Sequence, residues 1–115
     1  MKPADWVEEF PAAVTVCDRR GVIVSMNRAA GEVFRREGGR ALVGQSLLDC
    51  HPEPARSRLA AMLKTPRANT YTVEKGGRKK LIHQAPWFRR GRFAGLVELS
   101  IVLPRRVAHR VRKRK

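Results

Sequence analysis

Residues 12–34 read AAVTVCDRRGVIVSMNRAAGEVF, and the hydrophobic period changes partway along. Ala12 to Cys17 is a compact β-branched run. Asp18-Arg19-Arg20-Gly21 follows as a turn, in which Asp18 can bond the turn backbone and Gly21 can take a positive φ. Val22 to Met26 is a second β-branched run, and two such runs joined by a short glycine-containing turn read as a hairpin. Asn27 then stands where a helix N-cap belongs, ahead of an apolar stripe of Ala30, Val33 and Phe34. Gly38 and Gly39 end that helix, because glycine favours the left-handed C-cap.

On the N-terminal side, DWVEEF places Trp6, Val7 and Phe10 at helical spacing, with Asp5 as its N-cap and Pro11 as its stop. On the C-terminal side, residues 40–49 read as short helical turns broken at Gly44. The segment PARSRLAAMLKTP reads as a helix with Pro54 at its first position, one face of Leu59, Met62 and Leu63, and Pro66 as its end. The period then returns to two. NTYTVEK, LIHQAPWF and FAGLVELSIVLP are strands, separated by the basic turns GGRKK and RRGR. In the last strand Val97, Leu99, Ile101 and Leu103 share one face, and Glu98 and Ser100 the other. Two strands, several short helices and three tightly connected strands make an α+β fold with an antiparallel sheet.

A chain of 115 residues suits one domain, and its 43% hydrophobic content is ordinary for a globular protein. Two cysteines, Cys17 and Cys50, are too few for a disulfide framework. With no signal-peptide pattern or membrane-spanning run, the expectation is a cytoplasmic protein with reduced thiols. The net charge of +15 is uneven. Residues 105–115, RRVAHRVRKRK, hold seven Lys/Arg and no acid, so the remainder has 25 − 7 = 18 basic against 10 acidic residues. The expected divisions are an N-terminal amphipathic helix at 1–10, a folded body at 11–104, and a disordered basic tail at 105–115.

In order and spacing these elements resemble the PAS sensor domain family. The matching residues are Asp18 and Gly21 in the first turn, MNRAAGEVF, LVGQSLLD with Gly44, HPEPARSRL, and the closing GRFAGLVELSIVL. The resemblance covers roughly Glu9 to Pro104. It implies a five-stranded antiparallel sheet flanked by short helices, with a pocket between helices and sheet. In some members that pocket holds haem, flavin or a small metabolite. It also implies self-pairing through an N-terminal amphipathic helix, which makes Trp6, Val7 and Phe10 the candidate dimer contacts of a homodimer. The motif of the flavin photoadduct, Asn-Cys-Arg-Phe, is absent, which disfavours blue-light chemistry.

The candidate pocket residues are His51, Cys50, Tyr71, His83 and Trp87. His51 and Cys50 are possible haem ligands, and Tyr71 and Trp87 could stack on a planar ligand. The structural reading is preferred for His51-Pro52, as the cap of the following helix, whose loss would cost about 1–2 kcal/mol. Cys50 is read as a small buried apolar side chain and Asp49 as a backbone cap. Cys17, Cys50, His51 and His83 lack zinc-type spacing, and no CxxCH motif offers covalent haem attachment. There is no GxSxG, P-loop, HExxH or paired-carboxylate pattern, so no enzyme is expected.

Three functions remain. The first is a single-domain sensor or adaptor, binding a small ligand or a signalling protein partner through its sheet, with a haem sensor as its variant. The second is a nucleic-acid-associated protein that uses the fold as a dimer scaffold. Its polyanion contacts would be Arg105, Arg106, Arg110, Arg112, Lys113, Arg114 and Lys115, and an anionic membrane surface would attract the same residues. In the third the tail only solubilises. They rank first, third, second.

Overall fold

The computed structural model describes residues 2–114. In chain order the elements are α1 (Asp5–Glu8), β1 (Ala13–Cys17), β2 (Ile23–Met26) and α2 (Arg28–Val33), three 3₁₀ turns (Arg35–Glu37, Gly39–Leu42, Leu47–Cys50), α3 (Ala55–Lys64), β3 (Asn69–Lys75), β4 (Arg78–Arg89) and β5 (Arg92–Val102). The strands form one five-stranded sheet in the order β2-β1-β5-β4-β3, with every neighbouring pair antiparallel. The expected fold class stands.

Local chemistry sets the first half. Asp18 Oδ1 accepts from the backbone N–H of Arg20 (2.9 Å) and of Val22 (3.0 Å), and Gly21 sits at φ +87. Asn27 caps α2 by accepting from Ala30 N–H at 3.0 Å. The same Oδ1 accepts from Val14 N–H at 2.9 Å, and Nδ2 donates to the carbonyls of Val7 (2.9 Å) and Ala12 (2.8 Å). One buried side chain therefore joins α1, β1 and α2, and its polar atoms are fully paired.

The helices cover one face of the sheet. Ala30, Leu42, Leu47, Leu59 and Met62 pack there against Ala13, Cys17, Ile23 and Leu96. Glu98 and Ser100 are also buried on this face, whereas Ile101 is 37% exposed and Val97 and Leu99 are half-buried. The face of β5 that carries Leu96, Glu98 and Ser100 thus points inward, and the face of Val97, Leu99 and Ile101 points outward.

Four local expectations are corrected. Asp5 does not cap α1: the cap position is Ala4, without a side-chain bond. Val7 is buried with its carbonyl bonded to Asn27, so it is part of the core, while Trp6 and Phe10 remain 72% and 47% exposed. Pro54 is the cap residue of α3, one position earlier than expected. The capping oxygens there come from Glu53, which accepts from Ser57 N–H (2.9 Å) and Oγ–H (2.8 Å). Asp49 makes no cap; Ser46 Oγ does so, accepting from Leu48 N–H at 3.2 Å.

Candidate functional site

Between the inner sheet face and the turn Leu47–Cys50 lies a cavity of about 290 Å³. Thr15, Ser100, Glu98, Ile82 and Tyr71 line its sheet side, and Phe34, Cys50 and His51 its helical side, with Lys75, Lys80 and Glu37 also lining it. The sequence builds its centre by register. Glu98 on β5 lies opposite both Thr15 on β1 and Gln84 on β4, so their side chains share one face.

His51 leaves the Leu47–Cys50 turn in an extended conformation, with φ −120 and ψ 125. Its Nδ1–H donates to the Leu47 carbonyl at 2.9 Å, and Nε2 faces Glu98 Oε2 at 3.0 Å. Gln84 Nε2–H donates to the same carboxylate oxygen at 2.7 Å, and Asn69 Nδ2–H donates to Gln84 Oε1 at 3.1 Å. A polar chain therefore runs from His51 through β5 and β4 to β3. The His51 and Glu98 side chains are each only 9% exposed. Burial, the largest single influence, works against the charged imidazole. The hydrogen bonds with Cys50 and Glu98, the Glu98 charge and the Leu47 carbonyl outweigh it, and the pKa of His51 is pushed up to about 10. At neutral pH the ring is an imidazolium donating from both nitrogens. Burial and the nearby Glu98 charge also raise the Tyr71 phenol.

Three of the candidate pocket residues, His51, Cys50 and Tyr71, come together here. His83 and Trp87 do not line this cavity. His83 Nδ1 lies 2.7 Å from Thr70 Oγ1, and the two residues pair across β3 and β4. Trp87 lies near the β4–β5 turn, where its Nε1–H donates to the Cys17 carbonyl at 2.9 Å. Glu98, Gln84, Asn69, Thr15 and Ser100 were not among the candidates. The available signal was a glutamate and a serine alternating within an otherwise apolar strand.

The residues do not fit a haem as arranged. An iron ligand needs an unshared ring lone pair, and both nitrogens of His51 are engaged in hydrogen bonds. The cavity also lies at the floor of the ~300–1,000 Å³ that small-molecule pockets occupy. Among the described residues no group of three or more His, Cys, Asp or Glu could hold a metal ion.

A family described as PAS fold matches residues 7–108. The chain belongs to the PAS family. No protein of curated function matches it by sequence. The PAS domain of BvgS from Bordetella pertussis is similar over 88% of this chain and 83% of that one, with a TM-score of 0.66 and 20% identity. A PAS domain from Colwellia psychrerythraea is similar over 87% of this chain and 92% of that one, with a TM-score of 0.61 and 14% identity. The Aer2 receptor from Vibrio cholerae, a dual PAS-haem oxygen sensor, is similar over 81% of this chain and 95% of that one, with a TM-score of 0.58 and 19% identity. At these identities the likeness speaks for the fold. PAS domains are typically sensory modules of signal transduction. No described helix of this PAS domain is long and apolar enough to cross a membrane.

The remaining candidates occupy two surfaces. Trp6 and Phe10 pack edge to face with ring centroids 6.0 Å apart. Arg105, Arg106, Arg110, Arg112, Lys113 and Arg114 are exposed on a segment without helix or strand; Lys115 lies outside the described residues.

Proposed function

We propose that this PAS domain is a sensor or adaptor that takes a small polar ligand into the cavity beside His51 and reports its presence through the sheet. The observation that carries the reading is the buried His51–Glu98–Gln84–Asn69 chain on the cavity wall. A ligand that accepts a hydrogen bond from His51 competes with Glu98 for it. Glu98 sits on the central strand, so any adjustment passes directly to β1 and β4, its neighbours in the sheet. The opposite, apolar face of β5 is then a natural surface for a signalling partner to read. Small carboxylates and amides are the ligand class that this lining matches.

The test is an amide-resolved NMR titration with a panel of small carboxylates and amides, beside thermal melts. Binding should move the resonances of Glu98, Gln84 and Tyr71 and raise the melting temperature. Glu98→Gln should alter the selectivity between acids and amides. If no compound perturbs those resonances, the cavity is no receptor and the adaptor reading alone survives.

Self-pairing is the second part of the proposal, and Trp6 and Phe10 support it because a monomer leaves both rings exposed. Trp6→Ala with Phe10→Ala should shift the mass in light scattering from dimer to monomer while leaving the fold unchanged. An unchanged dimer mass would remove these residues from the interface. The double variant is preferable to deleting the N-terminus, because Val7 belongs to the core.

A further inference from the structure

A second and larger cleft lies near the β4–β5 turn, away from the His51 cavity. It is open, about 870 Å³, and sits between the β1–β2 turn and the tip of the β4–β5 hairpin. Arg19 and Arg20 line it from the first turn, and Arg89, Arg90 and Arg92 from the second. Residues nearly seventy positions apart meet because Gly95 has no side chain: a Cβ there would overlap the Cys17 carbonyl oxygen and the Asp18 backbone. The Trp87 bond to the Cys17 carbonyl fixes the approach from the other strand.

The cleft is charged and its charge is unpaired. Among the described residues none of the five arginines has an ion-pair or side-chain hydrogen-bond partner, and all five are exposed. Asp18 is the one acid in the lining, and its Oδ1 accepts from the backbone of its own turn. Arg90 holds φ +51, a left-handed conformation that suits glycine or asparagine better. The wall between the arginines is apolar and partly aromatic, formed by Trp87, Phe93, Val24 and Ala94. The Arg89 guanidinium lies over the Trp87 ring, 5.3 Å from its centroid.

We infer that this cleft binds single-stranded nucleic acid, with the sugar-phosphate chain on the arginines and a base stacked at the Arg89–Trp87 platform. Guanidinium groups pair with phosphate oxygens two at a time, and a planar guanidinium or indole accepts any base face. An acidic peptide would satisfy the charges but leave the platform unused. A duplex keeps its bases stacked on one another and cannot offer one to it. The inference is independent of the His51 cavity, and the basic tail adds only sequence-independent attraction.

The test uses the full chain carrying Trp6→Phe, which leaves Trp87 as the only tryptophan. Four probes are titrated at about 50 mM and about 150 mM salt: an oligothymidylate of roughly 12 nucleotides, an abasic strand of equal charge, the corresponding duplex, and polyglutamate. Oligothymidylate should bind most tightly and quench Trp87, and the abasic strand should bind without comparable quenching. Arg89→Glu with Arg92→Glu should weaken oligothymidylate binding by about tenfold or more. Arg78→Glu with Lys79→Glu makes the same charge change at the other end of β4 and should weaken it by less than about threefold. Circular dichroism confirms that each variant is folded. Equal losses from the two variants would reduce the effect to net charge and overturn the site. Polyglutamate or duplex binding as tight as oligothymidylate would overturn the choice of partner. Absence of binding at the lower salt would overturn both.

Discussion

The tail and the hairpin cleft are both rich in arginine, yet they are built in opposite ways. In the tail the charges lie close together in sequence, and those at 105–114 belong to no helix or strand; Val107 and Val111, 63% and 86% exposed, give it nothing to bury. In the cleft the charges come from distant positions and are set in place by a glycine and a tryptophan. If the tail is disordered, as the sequence leads us to expect, a polyanion that engages it would have to order it at a cost of roughly 1–2 kcal/mol per residue fixed. A polyanion that engages the cleft meets side chains already on a folded frame. The tail can therefore provide attraction and the cleft geometry, and a count of charges would not distinguish them.

The strongest way to break this comparison is Gly95→Ala. The added methyl group would strike backbone atoms of Cys17 and Asp18, where no flexible side chain can yield. We expect a loss of more than about 3 kcal/mol in denaturant melts, in the class of severe backbone and overpacking effects. Binding to the cleft should disappear, and the weak, salt-sensitive binding by the tail should persist. A loss under about 1 kcal/mol would show that the hairpin does not depend on this approach.

His51→Ala comes next and affects neither basic region directly. It leaves Glu98 buried without its partner, so the expected cost is about 3 kcal/mol, the lower end for breaking a buried ion pair. That exceeds the cost of a lost helix cap, the role assigned to His51 from sequence. The pH profile carries the same information. The folded pKa of His51 lies above its ordinary value, so the pair stabilises fully below about pH 6.5 and weakens as pH rises toward about 10. Wild-type stability should fall across that window, and the fall should be smaller in His51→Ala.

The smallest effect on the fold belongs to removal of residues 105–115. Leu103 N–H still bonds the Lys79 carbonyl at 2.9 Å, and residues 105–114 are exposed. Stability should stay within about 0.5 kcal/mol. Polyanion affinity should drop, and its salt dependence should become shallower, while Trp87 quenching remains. Loss of the quenching would mean that the tail, not the cleft, presents the strand.

Much of the fold was legible because its signals are local. Asp18, Gly21 and Asn27 each act within a few residues of themselves, and their turn and cap were readable in AAVTVCDRRGVIVSMNRAAGEVF. The candidate site was legible only on one side. His51, Cys50 and Tyr71 could be named from residue type, but Glu98 is 47 positions from His51, and only the sheet register brings them together. Alternation along β5 separates two faces without saying which is inside. Habit would bury Val97, Leu99 and Ile101, yet Glu98 and Ser100 take the interior. The five-arginine cleft left even less trace, because RRGR and DRR each resemble an ordinary solvated turn. Val7 was misjudged for a related reason: its carbonyl is tied to Asn27, twenty residues later.

Asn27 also shapes how the molecule opens to solvent. The amides of Val14 and Ala30, in different elements, are held by the same side-chain oxygen. The N-terminal turn, the start of the first strand and the first turn of α2 consequently cannot fray one by one without disturbing that side chain. Their amide protons should exchange with deuterium as a single cooperative unit. Aspartate, with no N–H to offer the carbonyls of Val7 and Ala12, would divide that unit in two.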